Sequence, residues 1–293
     1  MKSNRRLFVF FFVVISSILL THPQQTRGER FAQDENNLIG YSVNGQPIEL
    51  LKYGSGEDII VFVGGLHQGF APASVEIMEH LRSAMENLGD GLADNLTIYL
   101  IPSLNPDSPY SPGNLEGRLN ANSVDLNRNA DCQWRTDGTW RGELIAGVGG
   151  PAPFSEPELL LLRNFLLDSK PVATIIYGAR ANDGLVAPGN CGERLESAEI
   201  LTNVYADSIG YRKPDFDEIT TDILQGDVTN WLSREGLASI AVILPDYNDA
   251  DWAKNRRAVT QILNHFGDTT IQETQLMMSL ESGAALDDLL GHW

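Results

Sequence analysis

Ile59-Ile-Val-Phe-Val-Gly-Gly-Leu-His-Gln-Gly-Phe-Ala71 decides how the chain is read. A short apolar, mostly β-branched run ends in Gly64-Gly65, and a histidine follows. From Ala73 onward Val75, Ile77, Met78, Leu81, Met85 and Leu88 recur at helical spacing. Strand, glycine turn and amphipathic helix make one unit of an α/β fold. In open α/β sheets ligands bind just past the carboxyl ends of the strands. His67 therefore stands where such a fold places a metal ligand or a general base.

Working outward, Tyr41–Tyr53 reads as a hairpin, with Asn44-Gly45 supplying the positive-φ turn. Gly89 and Gly91 end the first helix, and Leu96–Ile101 is the next strand. Helical patterns over Leu159–Leu167, Ser197–Ser208, Asp227–Glu235 and Trp252–Phe266 alternate with strands at Val172–Tyr177 and Ser239–Leu244. Ser155-Glu-Pro-Glu158 reads as a capping box for the second helix. Alternation of this kind predicts α/β architecture: one domain, with a mixed, mostly parallel sheet between helices. Residues 102–154 are irregular and rich in Pro, Gly and Asn, which marks them as functional or disordered. Gly147-Val-Gly-Gly-Pro-Ala152 matches a dinucleotide fingerprint in letters only, since no strand precedes it and Pro151 interrupts it. Neither a Gly-x-Ser-x-Gly elbow nor a P-loop occurs.

Residues 1–28 read as a secretory signal: Lys2, Arg5 and Arg6 precede the apolar run Leu7–Leu20, which is short against the roughly 20 residues of a membrane span. An uncleaved anchor is the alternative. Removing the segment takes Lys2, Arg5, Arg6 and Arg27 with it and moves the net charge from −18 to −22. So acidic a chain lacks the basic surface that nucleic acid requires, so no nucleic-acid partner is expected, and a membrane is a partner only if the N-terminal segment stays uncleaved. The expected location is secreted or periplasmic. Residues 29–37 form a loose segment, 38–267 the domain and 268–293 an acidic tail. In an exported chain the pair Cys132 and Cys191 reads as a disulfide, with two buried free thiols as the alternative. Asn95-Leu-Thr97 is a glycosylation sequon.

Several segments in order carry a resemblance: Ile39-Gly-Tyr-Ser-Val-Asn-Gly-Gln-Pro-Ile48, Val63-Gly-Gly-Leu-His-Gln-Gly69, Leu104-Asn-Pro-Asp107, Gly117-Arg-Leu-Asn-Ala-Asn-Ser-Val-Asp-Leu-Asn-Arg-Asn129, Phe154-Ser-Glu-Pro-Glu158 and Gly226-Asp227 with Trp231. Together they make the chain similar to the zinc metallocarboxypeptidases, the carboxypeptidase A-like family. The resemblance implies an eight-stranded mixed sheet. It also implies a zinc held by a His, a Glu three or four residues later and a second His, with a further Glu as general base. Three such ligands leave an open position where the metal brings a bound water towards pKa ~7.

Only the first of these roles has a suitable residue here. The first histidine matches His67. The glutamate would fall at Phe70 or Ala71, the second histidine at Gly178, the general base at Ile243 and the substrate-closing tyrosine at Asp222. His22, His80, His265 and His292 lack ligand spacing to His67. Glu76 sits in the helix and is expected to face solvent or a strand edge. His67 is then read as a polar residue at a strand end, satisfied by backbone or water. The family's carboxylate clamp is different: it maps onto Arg118, Asn127 and Arg128, and arginine's planar fork suits a carboxylate. The competing reading pairs Arg128 with Asp125 or Asp131, merely pinning the loop. A buried carboxylate without its metal is costly, whereas an apolar Ile243 is not.

The resemblance thus implies a degenerate, catalytically inactive relative that binds peptide or peptidoglycan-stem C-termini, with no cofactor. Two alternatives stand beside it: an active zinc carboxypeptidase with an unorthodox metal site, and an interaction module whose groove is filled.

Overall fold

The computed structural model describes residues 37–192, 194–213 and 224–276. The strands are β1 (Leu38–Tyr41), β2 (Pro47–Glu49), β3 (Leu51–Gly54), β4 (Asp58–Val63), β5 (Leu96–Ile101), β6 (Gly138–Trp140), β7 (Glu143–Ile145), β8 (Ala173–Ala179), β9 (Leu185–Pro188) and β10 (Ser239–Leu244). The helices are α1 (Ala73–Leu88), α2 (Pro157–Ser169), α3 (Glu196–Ile209), α4 (Val228–Arg234) and α5 (Trp252–Phe266). Residues 1–28, expected to be a secretory signal, and Asp222, expected at the tyrosine position, lie outside the described residues.

The central sheet runs in the order β3-β5-β4-β8-β10-β9. Its inner strands β5, β4, β8 and β10 are parallel, and β3 and β9 close the edges antiparallel. Among the described residues it has six strands rather than the eight expected. The reason is pairing. β1 and β2 bond only to each other across the Asn44-Gly45 turn, as do β6 and β7, so both hairpins form separate two-stranded sheets. Asp107 holds the first hairpin: its carboxylate accepts from the Ser42 hydroxyl and the Asn44 amide, both at 2.9 Å.

Strand alternation sorts the core into two layers. Ile60 and Phe62 of β4 face α1, α3 and α5, whereas Val61 and Val63 face α2, α4 and the β1–β2 ribbon. Behind β8, Tyr177, Tyr205 and Asn255 form a buried hydrogen-bonded chain that continues through Tyr211 to Asp251. Burial raises the phenol pKa values of all three tyrosines. Ile271 and Leu276 pack into the first layer, so the core continues past the boundary at 267 expected from the sequence.

Three local readings change. The Ser155–Glu158 capping box does not form. Pro157 opens α2, Glu156 is its N-cap, and the Ser155 hydroxyl donates to Glu156 instead. Glu158 turns inward, where it accepts from the Val43 amide at 3.0 Å and from Asn120 at 3.2 Å. The irregular stretch 102–154 contains the β6–β7 hairpin, turned by Arg141 and Gly142, both at positive φ. Asn95 of the sequon spends its amide on Asp58 at 2.7 Å and on the Phe266 carbonyl at 2.8 Å. The disulfide Cys132–Cys191 is present, joining positions 59 residues apart.

Candidate functional site

Parallel register brings the ends of β4, β8 and β10 to one edge, with Val63 opposite Ile176 and Gly178 opposite Ile243. Just past β4, Gly65 takes φ +58°, and a Cβ there would lie 2.6 Å from the Ser103 Cα. Only glycine lets the chain turn this tightly against its neighbour, and the turn delivers His67 to the sheet edge. A cavity of about 430 Å³ opens there. His67, Arg118, Asn127, Arg128, Gly178 and Ile243 all line it.

His67 is buried, and its partner is a side chain rather than backbone. Its Nε2 lies 2.6 Å from Asp125 Oδ1. Asp125 Oδ2 accepts from Arg118 Nε at 2.7 Å, and its Oδ1 also accepts from the Asn127 amide, capping the short helical turn Leu126–Arg128. Burial, followed by the Arg118 charge, pulls His67 down to about 4. Burial works against the charge on Asp125, but Arg118 and then His67 hold its carboxyl well below the usual range. At neutral pH the imidazole is therefore uncharged and donates Nε2–H to an ionised Asp125, leaving Nδ1 as an acceptor. The 2.6 Å contact is a hydrogen bond to a carboxylate rather than an ion pair.

Arg118 is sandwiched as well as paired. Its guanidinium lies 5.1 Å from the Phe70 ring centroid and 5.4 Å from that of Trp140. Phe70 packs edge-on against Trp140 and Tyr247. At the position where the resemblance asks for a carboxylate, an aromatic cluster stands instead and holds an arginine. Asp125 is taken by Arg118, and Asp131 pairs with Arg234 at 3.0 Å. Arg128 donates its Nη1 to the Asn127 carbonyl at 2.9 Å. Asn127 Nδ2 donates to Asp227 at 2.6 Å and its Oδ1 accepts from the Val228 amide at 3.0 Å. Asn127 thus ties the loop to the start of α4. Asp227 caps α4 through Asn230 N at 2.8 Å, and burial raises its pKa. Gly226 sits beneath this loop at φ +67°, where a Cβ would meet the Arg128 carbonyl oxygen at 2.0 Å.

The donor set does not fit the family's zinc. Ile243 and Gly178 present an aliphatic side chain and none, and the Ile243 Cδ1 stands 3.5 Å from where a Gly178 Cβ would be. Phe70 and Ala71 are buried hydrocarbon. Glu76 spends its carboxylate on the Ala250 amide at 3.0 Å and does not line the cavity. Among the described residues no group of three His, Cys, Asp or Glu side chains is placed to hold a metal ion. Sequence reasoning missed four lining or flanking groups: Trp140, Arg141, Arg180 and Tyr247. The Arg141-Gly142 pair between Thr-Trp and Glu-Leu-Ile was the available hairpin signal.

Residues 33–221 match the family model described as zinc carboxypeptidase. Carboxypeptidase B of Astacus astacus is 28% identical over 147 residues, 44% of this chain and 48% of that protein, so the chain spans about half the length of this relative. Bovine thrombin-activatable fibrinolysis inhibitor, solved in complex with tick carboxypeptidase inhibitor, aligns with a TM-score of 0.60 at 18% identity, covering 78% of this chain and 88% of that one. The murein-tripeptide amidase of Escherichia coli O157 aligns with a TM-score of 0.56 at 20% identity, covering 80% and 92%. At such identities the structural likeness speaks to the fold.

Proposed function

The chain belongs to the zinc carboxypeptidase family, and we propose that it uses the family's cleft to bind, without hydrolysing, the C-terminal carboxylate of a peptide or a peptidoglycan stem. One observation carries the reading. Arg118 and Arg128 stand on the wall of the same cavity as Gly178 and Ile243, which occupy the positions where the resemblance places a zinc ligand and the general base. The Arg118 Nε is committed to Asp125, and its terminal nitrogens make no hydrogen bond to protein among the described residues. They are the donors a carboxylate would meet. Asn127 acts as a positioning residue, since both ends of its amide hold α4.

No hydrolytic step is derived for this cleft, because no carboxylate occupies the general-base position and the donor set lacks two of three ligands. Export is part of the proposal. It is supported by the basic–apolar pattern of residues 1–28 and by the Cys132–Cys191 bridge, which suits an oxidising compartment.

Calorimetric titration with peptides differing only in a free or amidated C-terminus tests the binding reading. The free acid should bind at least about tenfold tighter, equivalent to ~1.4 kcal/mol, and Arg128→Gln should erase the difference. Equal affinity for both forms sinks it. Stoichiometric zinc together with turnover of a peptide panel, both lost in His67→Ala, would establish the active alternative instead. A filled groove predicts no peptide binding at all.

A further inference from the structure

Two more arginines stand at the same cavity, and neither belongs to the Arg118–Arg128 pair. Arg141 occupies the turn of the β6–β7 hairpin, and Arg180 follows the last residue of β8. Both side chains are exposed. Arg141 donates to the Gly113 carbonyl at 2.9 Å and lies 5.1 Å from the Trp140 ring centroid. Arg180 donates to Asn182 Oδ1 at 2.7 Å and lies 5.9 Å from that of Tyr247. Every one of these partners is neutral. Among the described residues neither guanidinium comes within ion-pair distance of a carboxylate.

This is unexpected in a chain with 39 acids against 21 bases. Several other arginines find acids, among them Arg234 with Asp131 and Arg256 with Glu273. Around the cavity the balance is inverted. Among the described residues four arginines line it; Arg118 is paired with Asp125, and the one acid in that lining, Asp227, is engaged by Asn127 and the α4 amides. Arg141 and Arg180 add two guanidinium charges without a carboxylate partner among the described residues, and a concave low-dielectric wall focuses their field on whatever enters. An anionic guest would supply the missing partner. The Trp140 and Tyr247 rings lie against Arg141 and Arg180, and the planar forks suit carboxylates. The wall of the same cavity is also hydrocarbon, from Ile176, Leu185, Leu224, Ala241 and Ile243.

We infer that the cavity takes a peptide end bearing two carboxylates with an apolar portion between them: the terminal carboxylate at Arg118 and Arg128, and a second at Arg141 and Arg180. This rests on the carboxylate-binding reading above and adds the charge class of the ligand. An acidic protein C-terminus and a peptidoglycan stem share this chemistry.

The test titrates the full chain with acetyl-Glu-Ala-Leu and acetyl-Gln-Ala-Leu, each as free acid and as amide. The glutamyl free acid should bind about five- to tenfold tighter than the glutaminyl one, the scale of two partly exposed charge pairs. That preference should vanish in R141Q/R180Q, while the glutaminyl free acid should still bind tighter than its own amide. In the wild type it should also shrink as salt rises, a measurement independent of any variant. Equal binding of Glu and Gln peptides, a preference that survives R141Q/R180Q, or no binding by any of the four overturns the inference. Loss of the acid–amide difference with the Glu preference intact fails only the terminal-carboxylate reading. A stem tripeptide binding tighter than the glutamyl free acid assigns the source to cell wall, and weaker binding assigns it to protein ends.

Discussion

Acid should destabilise this fold through His67 in a window set by that one residue. In the unfolded chain the imidazole titrates near 6.5; in the folded protein, burial and the Arg118 charge hold it at about 4. A folded pKa below the unfolded one means that the unfolded state takes up the proton first. The associated stability is present in full above about 6.5 and is lost as pH falls towards about 4. With about 1.4 kcal/mol per pKa unit, moving from pH 7.5 to pH 4.5 removes between about 2 and 3 kcal/mol. Asp125, held low as well, adds its own loss only as the pH drops through about 3.9. The assay is urea unfolding of wild type and His67→Gln at both pH values. The glutamine retains an N–H donor for Asp125 but does not titrate. The variant should lose less stability than wild type on acidification by that amount, with similar m values. Identical losses would refute the description of His67 as a buried neutral donor to Asp125.

Other outcomes follow from the same geometry. Zinc should leave the thermal midpoint within about 1 °C, whereas a site filled at 100 times its Kd would add about 2.7 kcal/mol; a rise of several degrees that disappears in His67→Ala refutes the donor-set argument. Gly178→Ala should be neutral or mildly stabilising, since its Cβ meets only Ile243 at 3.5 Å in a strand. Gly226→Ala, by contrast, should cost more than about 1 kcal/mol through positive φ and the Arg128 carbonyl, and urea midpoints of the two variants compare them directly. Replacing both Cys132 and Cys191 by serine should lower stability by about 4 kcal/mol on the chain-entropy model for a loop of this length, read as a shift in the urea midpoint. No shift there would mean that the unfolded chain is not loosened by opening the bridge.

Much of the scaffold is legible locally because its signals are periodic. The run Ile59–Val63 and the helical spacing after Ala73 specify β4 and α1, and Ser239–Leu244 and Trp252–Phe266 fall where the structure has β10 and α5. The loop between β5 and α2 carries no period that would announce the β6–β7 hairpin inside it. Its turn places Arg141 at positive φ, a position where asparagine or aspartate usually gives the signal. The Ser155 reading failed for a related reason. A capping box is defined by spacing alone, but Pro157 moved the start of α2 and freed Glu158 to bond across the molecule to Val43 and Asn120.

The sequence by itself determined which residues stand where the resemblance places the zinc chemistry. Phe70, Ala71, Gly178 and Ile243 carry no metal-binding side chain, and His67 sits at the end of a central strand because a β-branched run stops at two glycines. Which groups took over that space was decided only by tertiary structure. Asp125 lies 58 residues from His67, and Arg141 and Arg180 arrive from a hairpin and a strand end that share no local pattern. Charge pairing and cavity walls depend on distances in space, which residue spacing does not encode. That is why the partner of His67 and the arginine-rich mouth appear only once the chain is folded.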